Sequence, residues 1–180
     1  MGKKRQGPAL DVYEAIESRA CVRSFTDEGV PGETVNKLLE AAVRAPTAGG
    51  IEPWRFFVVR DDDMKEKLSN AALGQSFVAQ APVVIVVCAD LDVCAQGYGS
   101  RGQNLYAIQD TAAAVQNILL AAVAEGLGAC WVGAFDEDAA SRALALPPRT
   151  RPLAMVPVGH PARTPYPTRR EPFEKFTTRL

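Results

Sequence analysis

Residues 105–125 restrict the fold of this chain more than any other stretch. The run Gln109-Asp110-Thr111-Ala112-Ala113-Ala114-Val115-Gln116-Asn117-Ile118-Leu119-Leu120-Ala121-Ala122 is rich in small residues nearly all round. A helix with that surface is buried centrally, or lies against another helix at close approach. Gly126 and Gly128 follow and are read as its cap residues. Whatever this chain becomes, it must wrap around that helix.

The remaining pattern mixes helices and strands. Asp11 caps a short helix over 11–19, with Val12, Ala15 and Ile16 on one face. Val35, Leu38, Leu39, Ala42 and Val43 give helical spacing over 33–44. A strand is expected over 55–60 and a polar helix over 61–73. Residues 82–89 form an unbroken apolar run, a strand buried on both faces. Residues 91–104 hold three glycines and few large apolar residues, and read as the least structured internal segment and a candidate lid. Strands follow over 129–133 and 153–159, separated by a short helix capped by Asp136. There is no regular βαβ alternation, so an α+β fold is expected, with helices covering a small, mostly antiparallel sheet.

The 180 residues fit one domain, 1–180, with 1–9 expected to be disordered and 160–180 an extended arm. That tail carries Tyr166, Phe173 and Phe176, which need something to pack on, and a partner subunit would supply it. A net charge of −1 gives no global field favouring nucleic acid or an anionic membrane. No apolar run reaches the roughly 18 residues of a membrane span, and no signal core follows the basic N-terminus. A cytoplasmic protein is expected. The four cysteines include no Cys-x-x-Cys, and His160 is the single histidine, so a metal site is not expected. Cys88 and Cys130 lie in apolar runs and read as small core hydrophobes.

Three features could carry chemistry. Arg19 and Arg23 lie four residues apart where the first helix ends, which suits a phosphate clamp; a solvated basic edge is the alternative. Residues 45–54, Ala-Pro-Thr-Ala-Gly-Gly-Ile-Glu-Pro-Trp, leave a helix through small residues that let a flat group approach the backbone. Pro53-Trp54 would wall that space, although Gly-Gly also reads as a plain turn. Glu52 in this loop could pair with Arg19 or Arg23. Gly133 ends a strand where a bare backbone N–H could face a ligand, or simply forms a bulge. No nucleophile–base pair emerges, so a hydrolase lacks its usual proton acceptor. An anion clamp and flat loops without an acid–base catalyst point to a cofactor that brings its own chemistry.

Four segments together resemble the FMN-dependent nitroreductase family. Ser18-Arg19-Ala20-Cys21-Val22-Arg23-Ser24-Phe25 resembles its Arg-Arg-Ser-x-Arg-x-Phe. Residues 45–54 resemble its Ala-Pro-Ser-Ala-Gly-Asn-x-Gln-Pro-Trp. The segment 109–117 with 126–133 resembles its long helix and following strand, and Arg170-Glu171-Pro172-Phe173 its Arg-x-Pro-Leu. The resemblance implies a homodimer with FMN at the interface, NAD(P)H as co-substrate and a small-molecule acceptor such as a nitroaromatic or quinone, reduced by a ping-pong mechanism. It implies that Arg19, Ala20, Cys21 and Arg23 border the flavin phosphate, ribityl chain and ring edge, joined by Arg170. Thr47 and Gly49 would approach from the partner, and Gly133 and Ala134 would present backbone amides to the ring. No side chain is implied as catalytic. Ala20, Cys21, Gly50 and Glu52 depart from the family's arginine, serine, asparagine and glutamine. A specialised dehalogenase or enone reductase, or a flavin binder with little turnover, would share these features.

Overall fold

The computed structural model describes residues 10–180; the expectation for 1–9 lies outside the described residues. Its centre is a four-stranded antiparallel sheet in the order β1-β2-β4-β3, with β1 Trp54–Val59, β2 Val83–Asp90, β3 Gly128–Ala129 and β4 Thr150–Gly159. β2 lies between β1 and β4, pairing Trp54 with Ala89 on one side and Val83 with Val158 on the other. The β2–β4 register shifts at Val87/Cys88.

The unbroken apolar run of β2 follows from this position. Val83, Ile85 and Val87 join a cluster that includes Leu38 of α2 (Gly32–Ala42) and Val115 and Ile118 of α6 (Ala107–Ala124). Val84, Val86 and Cys88 join a second cluster with Leu68 of α3 (Asp62–Ala71), Val78 of α4 (Phe77–Gln80) and Ala140 of α7 (Glu137–Ala143). Alternate side chains thus feed two cores, and an alternating polar face would leave one layer without a core. Each fully buried valine contributes about 1.5–3 kcal/mol.

α6 is the central helix the sequence demands, burying Ala114, Val115, Ile118, Leu119 and Ala122. Glu125 caps its C-terminus, and Gly126 follows with φ +77. Gly128 is not a cap. It lies in β3, where a Cβ would come 2.6 Å from a Val22 methyl. Its bare backbone lets the segment after α1 (Val12–Ser18) lie directly on the sheet. Cys21 pairs with Ala129 in a parallel bridge, and the Val22 N–H donates to the Ala129 carbonyl at 3.0 Å.

Several expectations are corrected. Residues 91–104 are not a loop: α5 spans Leu91–Arg101 and a π-helical turn runs over Gly102–Tyr106. Asp90 caps α5 through the N–H groups of Asp92 and Val93, both at 3.1 Å, and a kink at Tyr98 and Gly99 accommodates the glycines. The expected strand over 129–133 is cut short after Ala129, resuming only as a bridge between Val132 and Met155. Val12 and Ile16 share a helix with Ala15, but only Ala15 is buried. By length and composition alone, one 18-residue window within Leu91–Ala124 matches a membrane span, a match that a buried core helix also gives. Its apolar residues in α6 line the first core cluster.

Candidate functional site

One half of the candidate site forms where the segment 19–23 meets the edge of the sheet. α1 ends in an extended residue, Arg19, which turns the chain onto β3. Cys21 and Arg23 then point to solvent while Ala20 and Val22 face inward. That alternation explains Ala20: it is buried, so it contributes spacing rather than a contact. Arg23 lies over the Phe77 ring, its guanidinium carbon 5.8 Å from the ring centre, a cation–π contact that orients the fork. Arg19 Nη1 is 4.0 Å from Cys21 Sγ. Neither arginine is ion-paired among the described residues.

Gly133 and Ala134 join this half. Both are exposed, directly after the Val132–Met155 bridge. The Gln75 side-chain amide donates to the Ala134 carbonyl at 3.1 Å, tying the loop to the same corner as Phe77. Trp131 is partly exposed above it, and a Cβ on Gly133 would lie 3.6 Å from the Trp131 indole nitrogen.

Thr47 and Gly49 lie elsewhere. Residues 47–52 wrap over the N-terminal end of α6, where Asp110 accepts the Ala48 N–H at 3.1 Å. Asp110 is 5% exposed, and its second carboxylate oxygen has no partner among the described residues. Burial pushes its carboxyl above the ordinary carboxylate range, while the Ala48 N–H opposes the shift. The loop is left-handed at Gly49 (φ +58), Gly50 (φ +70) and also at Glu52 (φ +49). Gly49 is further enforced by Tyr98, whose hydroxyl fills the place of a Cβ. Tyr98 itself is set edge-on against Tyr106 at 5.1 Å. Trp54 does not wall the loop; it is buried in the core and stacked on Phe56 at 6.4 Å.

From Asp110 to Ala124 the helix rises about 21 Å at about 1.5 Å per residue. The loop sits at one end of that length and the segment 19–23 at the other. One chain therefore brings Arg19, Cys21, Arg23, Gly133 and Ala134 together but not Thr47 and Gly49, and it leaves Glu52 unpaired with either arginine. Arg170 is exposed in the tail, beside a cavity of about 440 Å³ lined by Arg169, Arg170, Glu171 and Pro172. Each half suits its part of FMN. Unpaired guanidinium groups fit a phosphate, and a glycine loop with no projecting side chain fits a flat ring.

Sequence reasoning missed Asp110, Tyr98, Phe77, Gln75 and Trp131. Asp110 alone carried a signal, as the single charged residue of α6.

The Nitroreductase family profile matches residues 16–78 and 70–160, and the chain belongs to that family. It is 34% identical to a Thermus thermophilus protein named NADH dehydrogenase, over 93% of this chain and 95% of that one. It is 30% identical to FMN reductase (NADPH) of Bacillus subtilis, over 84% of this chain and 66% of that protein. Among solved structures, NfrA1 nitroreductase from B. subtilis superposes with a TM-score of 0.83 at 28% identity, covering 93% of this chain and 73% of that one.

Proposed function

We propose that this chain is an NAD(P)H-dependent flavin oxidoreductase that holds FMN between two copies of itself and passes electrons to a small organic acceptor such as a nitroaromatic or a quinone. The observation that carries this reading is the separation of the two halves at opposite ends of α6. Two chains set antiparallel along that helix would bring the 47–52 loop of one against the 19–23 segment of the other, making two equivalent sites. The family match and the FMN reductase relative support the choice of flavin.

Each residue has a role that follows from its position. Arg19 and Arg23 hold the phosphate with charge-assisted hydrogen bonds. Arg170 adds a third cation from the tail, which serves as an arm over the partner. That arm would also cover Tyr166, Phe173 and Phe176, all more than 60% exposed in one chain. The Thr47 and Gly49 backbone forms a flat floor. Gly133 and Ala134 direct backbone N–H groups at the ring, where fixed donors stabilise developing negative charge without any titrating side chain. Bound FMN would supply the hydride chemistry, with donor and acceptor using one pocket in turn. The chain supplies position, charge and exclusion of water.

The purified protein should be yellow, release one FMN per chain on denaturation, and scatter light as a dimer. A colourless protein that takes up no added FMN would sink the proposal. A monomer fully loaded with flavin would sink the shared-site geometry.

A further inference from the structure

The cationic half holds a second chemical feature beside its unpaired arginines. Cys21 is exposed and Cys130 is 1% exposed, 109 positions apart in sequence. The parallel bridge from Cys21 to Ala129 sets Cys21 alongside the residue that precedes Cys130. The Cys130 S–H donates to the Trp131 carbonyl at 3.7 Å, and the Cys130 thiol and Cys21 influence each other's ionisation. The Arg19 guanidinium lies 4.0 Å from the Cys21 sulfur. The chain thus sets one exposed sulfur beside a guanidinium, with its strand-bridge partner Ala129 next in sequence to a second, buried thiol.

We propose that Cys21 and Cys130 form a redox pair that hydrogen peroxide closes to a disulfide, with Cys21 attacking and Cys130 resolving. The surroundings assign these roles. Partial burial raises the Cys21 thiol, but Cys130, the Trp131 N–H, Arg19 and Arg23 together outweigh it and hold the group below its ordinary value. Cys130 is pushed up to about 12, first by burial and then by the neighbouring Cys21 charge. Cys88 is likewise pushed up to about 12 by burial and has no such neighbours. The thiolate is the attacking species, so Cys21 reacts first.

The Cys21 thiolate attacks one peroxide oxygen. An S–O bond forms, the O–O bond breaks, and the departing hydroxide is protonated to water. Cys21 is now a neutral sulfenic acid, oxidised by two electrons, and its charge no longer opposes ionisation of Cys130. The Cys130 sulfur then attacks Cys21: the S–S bond forms, the S–O bond breaks, and hydroxide leaves with the Cys130 proton as a second water. Two thiols and one peroxide become a disulfide and two waters. The link fastens segment 19–23 to the strand beneath it.

The test is a non-reducing peptide map of the purified full-length protein after brief exposure to hydrogen peroxide. We expect the Cys21 and Cys130 peptides to appear joined, lighter by two hydrogens and separated again by dithiothreitol. Cys21 should be consumed at least about tenfold faster than Cys88. Cys130→Ser should stop at a Cys21 sulfenic acid that dimedone traps, and Cys21→Ser should give no link. The pair is overturned if Cys21 runs on to sulfinic acid while Cys130 stays a thiol, if Cys21 links two chains, or if Cys21 reacts no faster than Cys88. Excess FMN provides a separate arm, which depends on the flavin reading above. Slower linkage with FMN supports both; linkage at an unchanged rate supports the pair and counts against the flavin placement.

Discussion

At one end of α6 the segment 19–23 is fixed by backbone pairing to β3, with the Cys21 bridge, the Val22 hydrogen bond and the bare Gly128 beneath. At the other end the 47–52 loop is tied by a hydrogen bond to one side chain, Asp110, and is left-handed at Gly49, Gly50 and Glu52. The first arrangement sets charged groups at a defined spacing. The second keeps a strip of backbone clear of side chains. A phosphate needs the former and a flat ring the latter, so the two ends need not be equally rigid. Changes at the sheet-bound end should therefore cost stability and anion affinity, and changes at the loop end should be milder and act through local strain.

The largest effect is expected at Gly128. A valine there would drive its side chain into Val22, whose atoms already lie 2.6 to 2.9 Å from the position of a Cβ. Overpacking at the upper end of its usual range, about 3 kcal/mol, would follow. That is a fall in Tm of about 6–12 °C for a chain of this size. FMN affinity should fall with it, because segment 19–23 loses its seat. Calorimetry and flavin titration on one sample check both. An unchanged Tm would break the claim that backbone packing fixes this end.

Arg23→Ala comes next. It removes a cation without disturbing the bridge, so stability should hold while FMN binds more weakly by about 1.5–3 kcal/mol. Flavin fluorescence quenching measures the shift. Full retention of affinity would move the phosphate away from the clamp.

Asp110→Asn tests the loop end and is expected to be smaller, no more than about 1 kcal/mol at neutral pH, since the amide oxygen still accepts the Ala48 N–H. Its signature is in the pH dependence. The folded protein holds the Asp110 carboxyl above its ordinary range, so the native state keeps a proton that the unfolded chain releases. The native protein should be favoured in acid and lose that advantage as pH rises from the ordinary carboxylate range through the raised value. The asparagine variant lacks this step. Parallel Tm curves for the two proteins from acid to neutral pH would contradict it.

These contrasts also explain what was legible in the sequence. Asp11 and Asp136 announce their helices because a cap and its amides lie within one turn. β2 was legible because it is buried on both faces. α5 was misread: Gly97, Gly99 and Gly102 suppress helical periodicity, although Asp90 stood in place as its cap. The motif residues of the site were readable one by one, but their assembly was not. The contacts of Cys21 with Ala129, Ala48 with Asp110, and Arg23 with Phe77 join residues far apart in sequence that no local pattern brings together. Cys130 was read correctly as buried, and its neighbour became visible only once segment 19–23 lay on β3.

The smallest effect separates strain from function. Glu52 has φ +49, a conformation that costs a residue with a Cβ about 1–2 kcal/mol, and only a 3.4 Å bond from its N–H to the Thr47 hydroxyl supports it. Glycine would remove that cost but adds about 0.5–1 kcal/mol of unfolded-state freedom. Glu52→Gly should therefore raise stability by roughly 0.5–1 kcal/mol, or about 1–4 °C in Tm. Strain that persists in a loop facing a ligand is usually retained because it positions something. The variant should accordingly turn over nitroaromatic or quinone acceptors more slowly while binding FMN normally, since the arginines are untouched. A glycine variant that is more stable and equally active would show that the loop needs only to be flat, and that its left-handed glutamate does nothing a glycine could not.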